Sequence, residues 1–174
     1  MEACALTDTG QKRSMNQDFI YASKKPIGSL ENLFIVADGM GGHQAGDFAS
    51  RFVVENLVRF FETPYPDRDV HGILKEGIRK VNRELYEQAS TNNGTGSTLV
   101  LATIRGNVLY VANIGDSRLY LLRGALEQIT KDHSYVEELV AMGKLKRGSR
   151  DYMEKKNIIT RAVGVSEDVD SDLF

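Results

Sequence analysis

The sequence predicts an α+β domain built on an antiparallel sheet, and three observations carry that expectation. Strand-like runs open the chain, two helical patterns follow, and a series of β-rich arms separated by short polar turns comes after them. That order suits segregated layers rather than the strict alternation of a doubly wound parallel sheet. No period of roughly 20–50 residues recurs, which sets aside solenoids and propellers. At 174 residues the chain has the length of one domain. A chain of that size can bury roughly 70% of the surface its unfolded form exposes, so its core needs neither a disulfide nor a structural metal. The single Cys4 has no partner for an internal bridge.

The apolar runs 19–22 and 33–37 read as two strands, joined by the turn-rich stretch 24–31 with Pro26 and Gly28. Between 44 and 62, Ala45, Phe48, Ala49, Phe52, Val53, Leu57, Val58 and Phe61 recur at helical spacing, and Pro64 and Pro66 end the run. Asp69 then caps a second helix that carries Val70, Ile73, Leu74, Ile78, Val81 and Leu85 on one face and ends near Ser90. Past the Gly-rich stretch 92–96, strands 98–104 and 108–114 flank the turn Arg105-Gly106-Asn107. A further arm, 118–122, turns at Arg123-Gly124 into 126–129, so the four arms read as one antiparallel meander. Ser134 caps a short helix over 135–142, with Gly143 as its stop. Residues 144–156 are basic, polar and without a period, and are expected to be a mobile surface segment.

Composition excludes more than it selects. Lys and Arg number 22 against 24 Asp and Glu, a net charge of −2, so there is no basic footprint for nucleic acid. Hydrophobic residues at 41% and charged residues at 26% are ordinary for a globular domain and set aside disorder and collagen. No apolar run approaches the roughly 18 residues of a membrane helix. The first residues, MEACALTDTG, lack the basic and apolar regions of a secretory signal, and the expectation is a soluble, cytoplasmic protein without a membrane partner.

Three polar clusters interrupt this pattern. In LFIVADGMGGHQAGDFA (33–49) a strand delivers Asp38, three glycines crowd the next four positions and a helix begins. Bare backbone and a carboxylate can approach a cation in such a turn; a tight strand-to-helix connection with an exposed Asp explains the same residues. In RSMNQD (13–18), Arg13 suits a bidentate grip on phosphate and Asp18 suits metal-bound water, against the plain alternative of a polar loop before a strand. In NIGDSR (113–118) an acid and an Arg sit between two strands, which a simple turn also accounts for. The glycines at 41–46 lack the Lys-Ser/Thr of a nucleotide P-loop, and no G-x-S-x-G elbow occurs. Asn93-Gly94-Thr95 is a formal glycosylation sequon best read as a turn, and His43, His71 and His133 lack zinc-site spacing.

Taken together in order, RSMNQD, VADGMGGH, GTGSTLV, VANIGDSRLYLLR, TKDHS and NIITRAVG resemble the bacterial form of the type 2C metal-dependent Ser/Thr protein phosphatases, from about Thr7 to the last residue. The resemblance implies an antiparallel β-sandwich flanked by helices in α-β-β-α layers, with 1–174 as a single domain and 143–157 as the flap beside the active site. It implies hydrolysis of phosphoserine and phosphothreonine by a water activated at Mn²⁺ or Mg²⁺, two ions and in bacterial members a third. Residue by residue, Arg13 matches the phosphate-binding arginine and Asp18 the acid that hydrogen-bonds metal-bound water. Asp38 matches the carboxylate that bridges two metals, the Gly39 carbonyl a further ligand, and Asp116 a ligand of the third ion. Met40 stands where many eukaryotic members have a histidine, which leaves the general acid open between His43 and a metal-bound water. Family members continue past a strand that matches Thr160-Arg161-Ala162 into an S-D-G strand and a D-N pair whose aspartates complete the second metal site; residues 1–174 stop before both, so the sandwich is expected to be incomplete at its C-terminal side. The acidic tail Glu167, Asp168, Asp170 and Asp172 reads as a surface loop. Expected partners are phosphoprotein substrates and a Ser/Thr kinase with its targets, with dimerisation or domain swapping through open sheet edges. The competing expectation is a phosphatase-like module that binds metal or a protein without turnover.

Overall fold

The computed structural model describes residues 1–42, 44–65, 68–89 and 94–174. Strands β1 (Asp18–Ser23) and β2 (Leu33–Met40) form an antiparallel pair, followed by helices α1 (Ala45–Glu62) and α2 (Val70–Ala89). Next come β3 (Gly96–Ser97), β4 (Leu99–Arg105), β5 (Val108–Ile114) and the hairpin β6 (Tyr120–Arg123) to β7 (Ala125–Gln128). Helices α3 (Tyr135–Ala141) and α4 (Arg150–Lys155) precede the terminal β8 (Asp172–Leu173). The main sheet has the order β1-β2-β4-β5-β8, with β3 paired to the far end of β2, and every pairing is antiparallel.

The alternation of side chains across the pleat decides which face meets the helices. Leu33, Ile35 and Ala37 of β2, Leu99 and Leu101 of β4, and Ala112 and Ile114 of β5 are buried against Ala49, Val53, Leu57 and Phe61 of α1 and Ile73, Leu74, Ile78 and Leu85 of α2. Side chains on the other face are Ile20, Phe34, Val36, Val100 and Val111, and at its end Asp18 and Asp38 stand directly opposite one another. Helical spacing therefore placed both helices correctly, and Asp69 does cap α2, accepting from the Gly72 N–H at 2.8 Å. Ser134 holds the N-cap position of α3 in extended backbone without a side-chain hydrogen bond. Pro66, expected to help end α1, and residues 90–93 of the Gly-rich stretch lie outside the described residues.

Four expectations are corrected. The four arms do not make one meander: β6 and β7 pair only with each other, because Gly115 at φ +98° and the 115–119 turn carry the chain off the main sheet after β5. The 144–156 segment is not wholly irregular; Ser149 Oγ accepts from Tyr152 N–H and starts the one-and-a-half turns of α4, too short to show a period. The stretch 160–162 is no regular strand and is fixed by isolated bridges, Ser134 to Ile159 and Ser97 to Val163. The acidic tail is not a free loop either, since Asp172 pairs with Asn113 at the edge of β5.

Asn82 explains why the tail is seated. It is 1% exposed on α2, its Nδ2 donates to the carbonyls of Ser166 and Glu167, and its Oδ1 accepts from Gly164 N–H. Three backbone groups of an irregular loop are thus satisfied by one side chain. Asn82→Ala leaves those groups and a small void without partners and is expected to lower stability by about 1–3 kcal/mol. Urea unfolding with amide exchange at Gly164 checks this; an unchanged midpoint with Gly164 still protected would refute the clamp.

Candidate active site

The site is built from the ends of strands. Asp38 lies two residues before the end of β2, and its backbone is held from both sides: its N–H donates to Thr98 Oγ1 at 2.9 Å, while its carbonyl accepts from Thr98 N–H at 2.8 Å and Ser97 Oγ at 3.1 Å. Thr98 Oγ1 in turn shares a 2.7 Å hydrogen bond with Ser117 Oγ, which lies beside Asp116. The loop after β5 is thereby tied to the peptide that carries Asp38. Asp18 begins β1, where Asn16 Oδ1 accepts its N–H in an Asx turn, and the Asn16 amide reaches back to Thr7 Oγ1. Register then sets Asp18 across from Asp38.

The glycine after Asp38 owes its identity to close packing and not to conformational freedom. Gly39 does not adopt a left-handed conformation; it is required because a Cβ there would collide with the Gly46 carbonyl in the first turn of α1. Backbone therefore packs on backbone, with Gly39 N–H donating to the Gln17 carbonyl at 2.9 Å. Only Gly41, at φ +143°, uses the freedom peculiar to glycine in this turn.

These parts enclose a pocket of about 490 Å³ whose walls include Arg13, Asp18, Asp38, Gly39, Met40 and Asp116. Five of the six residues proposed from the sequence thus share one pocket, with Asn157 and Ile159 from the chain that follows α4. The sixth, His43, lies outside the described residues. Sequence reading missed Thr98 and Ser117, which act through backbone and hydroxyl bonds; their signal was the small polar residues inside the quoted motifs GTGSTLV and NIGDSR.

Electrostatics concentrate on Asp38. Burial, followed by repulsion from Asp18 and Asp116, pushes its carboxyl up to about 6, and the Arg13 guanidinium pulls in the opposite direction. Burial also raises Asp116, with Asp132 adding to the shift and Arg118 opposing it. Like charges directly across an antiparallel pair are destabilising unless something neutralises them. A proton does so at low pH, and a divalent cation would do so at neutral pH. The carboxylates of Asp18, Asp38 and Asp116 and the Gly39 carbonyl offer oxygen, which suits Mg²⁺ or Mn²⁺. Among the described residues no three acidic, His or Cys side chains close into a ligand cluster, and an open set of this kind fits a cation that keeps several of its waters.

An antiparallel α+β fold with a carboxylate-rich pocket beside an arginine suits chemistry on a phosphoryl group, and comparison with known proteins makes the class specific. Residues 6–139 match the family profile of protein phosphatase 2C. The chain is 38% identical to the serine/threonine phosphatase stp of Listeria innocua, over all of this chain and 71% of that one. Its fold superimposes on the crystal structure of the serine/threonine phosphatase Stp1 from Staphylococcus aureus with a TM-score of 0.87, at 36% identity, over 97% of this chain and 68% of that one. The catalytic domain of the serine/threonine protein phosphatase PstP, solved with two manganese ions, aligns with a TM-score of 0.77 at 36% identity over 96% of this chain and 68% of that domain. The chain belongs to the protein phosphatase 2C family, serine/threonine protein phosphatases that remove phosphate from proteins.

Because the folded-state value of Asp38 is raised above its ordinary 3.8, protonation favours the folded state: that contribution is present at low pH and is lost as pH rises through about 6. In EDTA, Asp38→Asn is therefore expected to stabilise the chain at pH 8, by roughly 1 kcal/mol once solvent screening of this partly exposed group is allowed for. At pH 5 the advantage should shrink. Urea midpoints at the two pH values measure it, and an identical gap at both would show that the carboxyl is not perturbed.

Proposed function

We propose that this chain dephosphorylates phosphoserine and phosphothreonine in proteins with the help of divalent cations held at the Asp38 pocket. The observation that carries the proposal is the juxtaposition of Asp18, Asp38 and Asp116 with Arg13 around one pocket. In this reading Asp38, with the Gly39 carbonyl, anchors the cations, Asp18 orients their water, and Asp116 lies at a further, weaker position. Such ions supply Lewis acidity, acidifying water and neutralising phosphoryl charge. Arg13 is exposed and lines the pocket, and in this reading its fork receives two phosphoryl oxygens and holds the phosphorus against the carboxylates. Met40 in the wall offers no proton, so the proton for the leaving alkoxide comes from His43 or from water. The two manganese ions in the PstP structure support the choice of cation.

The test is hydrolysis of a phosphothreonine peptide against MnCl₂ concentration. Asp38→Asn should lose at least about 100-fold in kcat. Arg13→Ala should lose about 10–100-fold in kcat/KM, as expected for a charge-assisted phosphate contact, while its Mn²⁺ dependence stays as in the wild type. Mn²⁺ binding by a folded chain without any turnover would instead establish a non-catalytic phosphatase-like module.

A further inference from the structure

Behind the wall that carries Asp116 lies a second groove of about 770 Å³, lined by Arg118, Asp132, His133, Glu137, Arg161 and Asp172 among others. Its charges are largely paired: Arg118 is bidentate on Asp132, Arg147 is bidentate on Glu137, and Arg161 Nη1 donates to Asp172 Oδ1 at 2.9 Å. His133 is the member that holds the residue before Asp116. It is 8% exposed, its Nδ1 accepts from Gly115 N–H at 3.0 Å, and its own backbone N–H donates to the Gly115 carbonyl at 2.9 Å. One residue thus holds both the N–H and the C=O of Gly115.

The grip has a fixed polarity. With Nδ1 accepting, the ring proton sits on Nε2, which faces Asp172 Oδ2 at 3.1 Å. Burial raises the Asp172 carboxyl, but hydrogen bonds from His133 and then Arg161 outweigh it and hold the group below the usual carboxylate range. Asp172 is therefore an ionised acceptor that locks the tautomer able to receive Gly115. On the opposite side, a Cβ at Gly115 would press on Thr98, whose hydroxyl carries the Asp38 N–H. The Gly115 peptide is wedged between His133 and Thr98, and its left-handed φ of +98° persists because both neighbours hold it.

We propose that His133 is a positioning residue of the Asp116 side of the cation site, setting Gly115, the residue before Asp116, by accepting its N–H at Nδ1, and linking it to the Asp172 edge strand. This rests on the reading that Asp116 contributes to cation binding. Partners one step removed from a metal ligand commonly control affinity about 10–100-fold. The contact that matters here is Nδ1 to Gly115, not Nε2 to Asp172, and two amide side chains separate them. Asn presents an oxygen where Nδ1 stands, whereas Gln reaches only to the place of Nε2.

The experiment uses the 174-residue chain, with Mn²⁺ alone titrated by calorimetry into wild type, His133→Asn, His133→Gln and Asp116→Ala, alongside urea midpoints and the ¹⁵N–¹H shift of Gly115. His133→Asn is expected to bind Mn²⁺ within about threefold of wild type and to keep the Gly115 shift. His133→Gln should lose about 10-fold at the site that Asp116→Ala weakens, with a moved Gly115 resonance. Equal losses in Asn and Gln that follow their urea midpoints would reduce His133 to a fold-stabilising residue and overturn the proposal. If Asp116→Ala weakens Mn²⁺ binding and His133→Gln does not, the His133 assignment falls while the site reading stands. Wild-type affinity in Asp116→Ala would remove the site reading and the proposal with it.

Discussion

The peptide of Asp38 is the point on which the rest of the site depends. A carboxylate facing two others gains nothing from its surroundings except a rigid place, and rigidity here comes from backbone bonds to Thr98 and Ser97 rather than from side-chain packing. Those bonds join strands distant in sequence. The Thr98 hydroxyl then passes the constraint to Ser117, so the loops after β2 and after β5 cannot shift independently. Like charges are held together because the scaffold around them is stiffer than their repulsion is strong.

Much of this was legible in the residues. Long periodic segments declared themselves: the stripe from Ala45 to Phe61 and the face from Val70 to Leu85 became α1 and α2, since their apolar positions had a single geometry in which to be buried together. The β4–β5 hairpin was equally plain from its Val- and Leu-rich arms about Gly106. Asp18, Asp38, Gly39 and Asp116, which share one pocket, were singled out through the joint order of their motifs; each motif alone read as a turn or a polar loop. What stayed hidden was information that is not periodic. Nothing local in Tyr120–Gln128 reveals that β6 and β7 leave the main sheet, because that follows from the left-handed Gly115 upstream. Nothing in the acidic tail reveals that Asn82, some eighty residues earlier, receives it.

Two kinds of glycine illustrate how composition and geometry diverge. Sequence invites one explanation for a Gly-rich turn, conformational freedom, whereas Gly39 serves close approach between β2 and the start of α1. A helix seated so tightly on a strand end places its first-turn backbone beside the carboxylate site. The polar residues of the second groove behave similarly: Arg147 belongs to a segment that reads as basic, and Arg118 and Arg161 lie in polar motifs, yet each is committed to a carboxylate of its own chain.

The pairing of Asp18 with Asp38 carries a consequence for how such a chain tolerates insertions and deletions. In an antiparallel pair, neighbouring residues face opposite sides, so a slip of β1 by a single position would turn Asp18 toward the helices and bring Gln17 or Phe19 across from Asp38. A slip by two would keep the apolar side chains inward but set Asn16 or Ile20 in the place of Asp18. The connection spanning Lys24 to Asn32 sets that register. Length changes there are compatible with the site only where they bulge outward as loop and leave β1 unmoved, a constraint written into a segment of the gene that encodes no residue of the site.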